Sequence, residues 1–307
     1  MTLASTGTRS HGLVLGVVIL WGLNWPVMKI GLEYIQPLWF AAARAVMGSV
    51  CLFALLAILG RLDTPNRKDY PVVLSVGILQ IVGFMGLVHW GLLYVEPGQS
   101  AILAYTTPLW VVPLAAIVLK EGFSKLKFLG LLLGLGGLVL LLRPWGPNIG
   151  GQINVGDGLL LAAAASWAVA IVHVRGHDWH GDPLLLAPWQ MALGAPILAL
   201  LATILEGPPK PSCTTEFWLV IAYNGPIGSA FCFWAWITAN RTLPATTSAL
   251  ASLGVPVVGL FASSAMTGET LSLNKIMGLG MIIPGVALGI LADFRHAKRS
   301  GAVAGKP

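Results

Sequence analysis

A few polar side chains lie inside long apolar runs of this chain, and they are the residues that could do chemistry. Arg44 is the one unambiguous charge well inside such a run. Its guanidinium could hold a carboxylate through paired hydrogen bonds, or it binds carbonyl groups at a helix end or reaches outward. Asn24 stands between Trp21 and Trp25. Its amide could meet a substrate's amino or carboxylate group, or make an interhelical hydrogen bond worth about 0.6–2 kcal/mol. Gln80, Tyr105, Trp110, Trp167, Asn224, Trp234 and Ser252 complete the candidate binding set, and His89 and His173 are the side chains that could carry a proton. An aromatic, nearly uncharged set of this kind suits large apolar or aromatic groups by stacking. It suits a diphosphate poorly, because a diphosphate would need several cations. The stretch His177-Asp178-x-His180-x-Asp182 has metal-like spacing, but it falls in a short polar connection, where a solvated turn is expected. No HExxH, Walker A or dinucleotide fingerprint appears. Neither catalysis nor a cofactor or metal is expected, and the chain cannot couple ATP by itself.

The elements that position these residues follow from composition. Of 307 residues, 56% are hydrophobic and only 10% charged, against about 25% charged in a typical soluble domain. Twelve Trp and 37 Gly fit interfacial belts and membrane helices. A helix needs about 20 residues to cross about 30 Å of hydrocarbon. Ten stretches qualify: Gly12–Leu32, Pro37–Leu59, Tyr70–Tyr94, Gly98–Leu119, Leu126–Leu142, Gly156–Val174, Pro183–Leu205, Phe217–Ala239, Ala245–Met266 and Leu273–Ala292. They do not alternate apolar with polar, which excludes a β-barrel. The expected fold is all-α and polytopic, with short connections making successive helices antiparallel. The first run is too long for a signal peptide and lacks an A-x-A site, so it reads as a retained helix. Cys51, Cys213 and Cys232 form no CxxC pair or even-numbered disulfide framework.

The net charge of +6 is explained by membrane orientation. With the N-terminus inside, one face carries Arg9, Arg61, Arg67, Lys68, Lys120, Lys125, Lys127, Arg175, Arg241, Arg295, Lys298, Arg299 and Lys306; the other carries only Lys29, Arg143, Lys210 and Lys275. Thirteen against four puts both termini in the cytoplasm by the positive-inside rule. The basic residues are scattered between spans, so no nucleic-acid partner is expected.

The two halves repeat. A shift of 146 places Trp21 on Trp167, Lys29 on Arg175, Pro37 on Pro183 and Gly48 on Gly194; a shift of 148 places Ser100 on Ser248, Pro108 on Pro256, Glu121 on Glu269, Lys127 on Lys275 and Gly137 on Gly285. Each half holds five spans, an odd number, so the second half enters the membrane upside down relative to the first. Inverted repeats around a shared cavity are a mark of secondary transporters. The segments are a tail over 1–11, repeats over 12–145 and 146–293, and a tail over 294–307.

Certain residues carry a family resemblance: Trp21-Gly22-x-Asn24, Pro37 followed by Ala43-Arg44, Pro108 followed by Lys120-Glu121, and Pro256 followed by Gly268-Glu269, with a glycine-rich helix after each acid. The repeat resembles the EamA unit of the drug/metabolite transporter superfamily over nearly the whole chain, and the overall run is similar to amino-acid exporters of the YddG type. The resemblance implies ten helices around a central cavity with alternating access. The superfamily's four-helix drug exporters use a membrane-embedded Glu in the first helix. No acid stands inside the first span here, which speaks against proton-coupled drug efflux.

The expected function is therefore secondary transport of amino acids, aromatic and large apolar ones favoured, across the bacterial inner membrane by export or facilitated diffusion. The alternatives are a carrier or flippase for another metabolite or lipid-linked precursor, and a membrane-embedded enzyme or receptor. Beyond Lys127 the fifth span holds only Phe, Leu, Gly and Val, with Gly130-x-x-x-Gly134; the tenth carries Gly285-x-x-x-Gly289. Both are assigned to scaffolding or to a homodimer contact. Pro26, Pro108, Pro113, Pro256 and Pro284 are expected to interrupt helices, with Pro26, Pro108 and Pro256 as hinges. Glu121 and Glu269 are expected to cap or pair across loops.

Overall fold

The computed structural model describes residues 3–120, 124–142, 154–178, 180–240 and 251–304, without the side chains of 3–9, 237, 240 and 293–304. Glu121 lies outside the described residues. Among those described, every regular element is helical: α1 (Leu3–Gly31), α2 (Pro37–Ile58), α3 (Arg67–Tyr94), α4 (Pro97–Val118), α5 (Lys125–Leu142), α6 (Val155–Arg175), α7 (Pro183–Glu206), α8 (from Thr215 to Asn240), α9 (Gly254–Thr267) and α10 (Leu273–Ala304). Nine of these are long and apolar enough to cross a membrane, and α9 is a shorter apolar helix. α1 and α10 run past the apolar stretches expected for them, so helix covers most of the segments expected as tails. The outer surface identifies the solvent. Ile58 is 83% exposed, Ile117 75% and Leu273 68%, alongside many other large apolar side chains. Such a surface has no stable place in water, and it belongs against lipid. The chain is a polytopic integral membrane protein.

Helix ends are satisfied locally or by a distant element, as a low-dielectric surrounding requires. Pro37, Pro97 and Pro183 open α2, α4 and α7, where a missing N–H costs nothing. Asn154 and Asp157 form a capping box on α6. Glu206, at the end of α7, accepts hydrogen bonds from the amides of Leu38 (2.9 Å) and Trp39 (3.3 Å) at the start of α2. Glu269 does the same for α4, accepting from Gly98 N (2.6 Å) and Gln99 N (3.1 Å) while pairing with Lys275 at 3.0 Å. Its expected capping role is thus present. Lys29 on α1 donates to the carbonyls of Leu92 and Val95 at the end of α3, a cation at the negative end of a helix.

Packing runs mainly between the halves rather than between helices adjacent in sequence. α5 lies against α10 and α2 against α7; α1 packs on α9 as α6 packs on α4, and α3 packs on α6 as α8 packs on α1. The glycine motifs explain the tightest of these contacts. A Cβ on Gly130 would lie 2.5 Å from the Gly285 carbonyl oxygen, and one on Gly285 2.6 Å from the Gly134 amide nitrogen. Gly130, Gly137, Gly278 and Gly285 thus meet across α5 and α10 within the chain.

Contacts between connections sort the two ends of the bundle. At one end Arg61 pairs with Asp182 (2.6 Å), and Trp189 Nε1 donates to Asp63 O (3.2 Å). At the other, Ser212 N donates to Tyr34 O (2.8 Å), and Lys210 N to Gln36 Oε1 (3.0 Å). α2 runs from the second end to the first. Residues near 65 and 210 therefore sit at opposite ends of it.

Candidate functional site

Two irregular helices build the centre of the molecule. Within α3, Val76–Met85 winds as π-helix, and within α8 so does Tyr223–Phe231; these are corresponding spans of the two halves. Wider i→i+5 winding is uncommon and concentrates at functional sites. In α8, Pro226 has no N–H to give to the preceding turn. Side chains also bond backbone carbonyls here: Asn224 Nδ2 donates to Val220 O (3.0 Å) and Ser229 Oγ to Asn224 O (2.9 Å). In α3, Ser166 of α6 donates its hydroxyl to Leu79 O (2.7 Å). A second matched pair of irregularities follows. α4 is interrupted at Tyr105–Thr106 and the ninth span at Leu253, and Pro108 and Pro256 stand in the first turn of each following helix. The Thr106 and Thr107 hydroxyls cover the Leu103 (2.6 Å) and Ala104 (2.8 Å) carbonyls at that break. Pro108 and Pro256 thus begin helices. Pro26, Pro113 and Pro284 lie inside helices, as their apolar settings led one to expect.

Between these irregular segments is a cavity of about 100 Å³, several times the ~10–15 Å³ that one water needs on the same measure. Trp21, Asn24, Arg44, Gln80, Tyr105 and Trp167 all line it. Trp21 Nε1 donates to Gly228 O (2.9 Å), which ties α1 to the π-helical turn of α8. Trp167 meets Phe84 (centroids 4.8 Å) and, edge-on, Tyr105 (6.2 Å), while Trp21 meets Phe233 edge-on (6.2 Å). Rings thus wall the cavity from both halves.

Besides Gln80, Tyr105 and Ser229, three polar groups face this apolar frame. Arg44 donates from Nε to Ser229 Oγ (3.0 Å), and its Nη1 lies 3.0 Å from Met28 Sδ, a weak acceptor. No described carboxylate lies within ion-pair distance of it. Asn24 is buried, and its Oδ1 has no hydrogen-bond partner. His89 is fully buried with Nδ1 at 2.7 Å from Met85 O. A carbonyl only accepts, so Nδ1 carries the proton and the unpartnered Nε2 is an acceptor in the neutral ring. Arg44, Asn24 and His89 together offer the cavity one cationic donor and two buried acceptors.

The other four candidate residues do not line this cavity. Trp110 is 37% exposed on the outer surface. Asn224 is buried and donates Nδ2 to its own helix, while its Oδ1 has no hydrogen-bond partner. Trp234 packs against Phe231 and the α2–α7 cluster, and Ser252 lies at the break before Gly254. Trp25, Met28, Ile81, Phe84, Met85, Val88, Met191, Ser229 and Phe233 line the cavity without having been singled out. His173 lies elsewhere, its Nδ1 at 2.8 Å from the Ser75 hydroxyl.

Membrane-length helices thus enclose a chamber lined by residues of both halves. The EamA-like transporter family matches the sequence twice, over residues 8–143 and 154–291, and the chain belongs to that family. Among similar proteins, the uncharacterized transporter YoaV of Bacillus subtilis is 28% identical over 283 residues, covering 92% of this chain and 97% of that protein. YvbV of the same organism is 27% identical, covering 92% and 91%. The uncharacterized inner membrane transporter YedA of Escherichia coli K12 is 26% identical over 298 residues, covering 92% and 91%. One solved crystal structure, 22% identical, spans 92% of this chain and 97% of its own with a TM-score of 0.60, and so shares the fold.

Proposed function

We propose that this protein is a secondary transporter for amino acids, favouring aromatic and large apolar ones, that works by alternating access in the inner membrane with both termini cytoplasmic. The observation that carries the reading is Arg44, a guanidinium on a membrane cavity with no carboxylate partner among the described residues. A substrate carboxylate supplies the missing anion through charge-assisted hydrogen bonds. Asn24 Oδ1 and His89 Nε2, both unpartnered, are the acceptors that an ammonium group needs. The rings of Trp21, Phe84, Tyr105 and Trp167 then take an apolar or aromatic side chain.

Alternating access needs two arrangements of similar energy. Two five-helix halves of opposite orientation supply them, and the paired contacts α1–α9 with α6–α4, and α3–α6 with α8–α1, support such a relation. The matched breaks ahead of Pro108 and Pro256 are the places where α4 and the ninth span bend as the cavity changes sides. Glu269 is committed to helix capping and Lys275, so we read the protein as a facilitator running down its substrate gradient.

Counterflow into proteoliposomes with each of the twenty amino acids is the test. Saturable exchange of aromatic and large apolar amino acids is expected. Exchange confined to solutes that lack a carboxylate would overturn the reading. Accumulation against a substrate gradient under an imposed pH gradient would overturn the facilitator mechanism.

A further inference from the structure

We infer that Asp69, His177 and His180 form a binding site for a divalent metal of the Zn²⁺ class, tying the start of α3 to the connection between α6 and α7. The site lies apart from the cavity and does not depend on the transport reading. Asp69 immediately precedes the α-helical part of α3, and its side chain is fully buried. Its Oδ1 lies 2.9 Å from His177 Nε2 and 3.7 Å from His180 Nδ1, and the three ligating atoms all fall within 4.8 Å of one another. A tetrahedral ion with bonds of about 2.0–2.2 Å sets its ligands about 3.3–3.6 Å apart. The observed spacings bracket that edge, so small side-chain rotations would accommodate an ion.

The second observation is Asp69 Oδ2, a buried oxygen without a hydrogen-bond partner. Oδ1 already accepts from His180 N (3.1 Å) and faces His177 Nε2, while the other half of the carboxylate is left unsatisfied. A buried acceptor in that state is costly, and an ion or its bound water would satisfy it. Gly181 keeps the space beside it open, since a Cβ there would stand 3.0 Å from Oδ2. Two imidazoles and one carboxylate are a ligand set for Zn²⁺, Co²⁺ or Ni²⁺, with a fourth position left for water. His177 would ligate through Nε2 and His180 through Nδ1.

A solvated turn was expected of His177-Asp178-x-His180-x-Asp182 from its short polar connection; the third ligand, Asp69, comes from 108 residues earlier in the chain. Asp182 takes no part, being paired with Arg61 at 2.6 Å. An ion here would hold together the ends of α3 and α6, two helices that carry Gln80, Phe84 and Trp167 to the cavity.

The test uses the full chain purified in detergent with any affinity tag removed. Co²⁺ is followed by visible absorption and Zn²⁺ by calorimetry and by the thermal unfolding midpoint. Expected are one saturable ion per chain, the intense bands of tetrahedral Co²⁺, and a Zn²⁺-dependent rise in the midpoint. His177→Ala and His180→Ala should each weaken binding at least tenfold and abolish the thermal shift, while Asp178→Ala leaves both unchanged. His180 is partly exposed, so its variant is expected to fold and keeps the test decisive. Absence of saturable binding, or binding that survives both histidine substitutions, would overturn the proposal.

Discussion

Arg44→Gln is the perturbation that most directly tests the cavity's chemistry. A guanidinium carries five N–H donors. In Arg44, Nε is used on Ser229 and Nη1 faces only a thioether, at 3.0 Å each; Nη2 meets no acceptor among the described residues. A hydrogen bond to a charged group contributes about 1.5–3 kcal/mol, or about 10–150-fold in affinity. The half-saturation concentration for the best-transported amino acid should therefore rise by about 10–150-fold in Arg44→Gln proteoliposomes. The amine made by removing that substrate's carboxylate should be handled equally by both proteins. The two deletions remove one interaction, so their combination should cost no more than either alone. Arg44→Lys keeps the charge without the planar fork, and should fall between. An equal loss for amino acid and amine would refute the reasoning, because it would make Arg44 a structural partner of Ser229 alone. An unchanged half-saturation concentration would refute it as well.

Trp21→Ala and Trp167→Ala should each weaken uptake of aromatic amino acids by more than that of small ones with expression intact, each ring contact being worth about 0.5–1.5 kcal/mol beyond its buried area; parallel flux assays on a small and an aromatic amino acid would show it. Trp110→Ala, on the outer surface, should leave transport unchanged in the same assay. Gly130→Ala drives a Cβ to 2.5 Å from the Gly285 carbonyl oxygen and should destabilise by about 1–3 kcal/mol, whereas Gly280→Ala meets nothing within 4 Å and should not; thermal unfolding in detergent compares them. Glu269→Ala leaves two α4 amides without their acceptor and strips one carboxylate from Lys275, a loss of about 3–5 kcal/mol that the same measurement reads as a lowered midpoint.

Much of the architecture was legible because lipid imposes a simple rule: a crossing helix must be apolar and about 20 residues long. The site was legible only where side-chain type alone forces a residue inward. Arg44 and Asn24 are expensive against hydrocarbon, and Trp21 and Trp167 stood out by repeat and depth, so all four could be named. Asn224 looked equivalent to Asn24, yet its Nδ2 turns back onto Val220 O on the irregular α8. Hydrophobic pattern says nothing of π-helical winding. For the same reason Phe84, Met85 and Ser229, set on those segments, were missed, while Trp110 faces the outer surface and Trp234 the α2–α7 cluster, places that composition cannot distinguish from a cavity. His89 stood out as a polar residue in an apolar run, but only its bond to Met85 reveals which nitrogen remains available. Asp69 carried no signal beyond a charged residue ahead of a helix.

The preference of each half for the other has a consequence for biogenesis. A ribosome delivers α1 to α5 before α6 to α10 exist, yet α1 awaits α9, α2 awaits α7, and α5 awaits α10. During that interval the close-packing stripe of Gly130 and Gly137 has only acyl chains to touch, and Arg44 has not yet met Ser229. The nascent first half is therefore an orphan in the bilayer, dependent on insertion factors or on speed. Chains that end before α10 should be removed by membrane quality control even though every span they contain is sound.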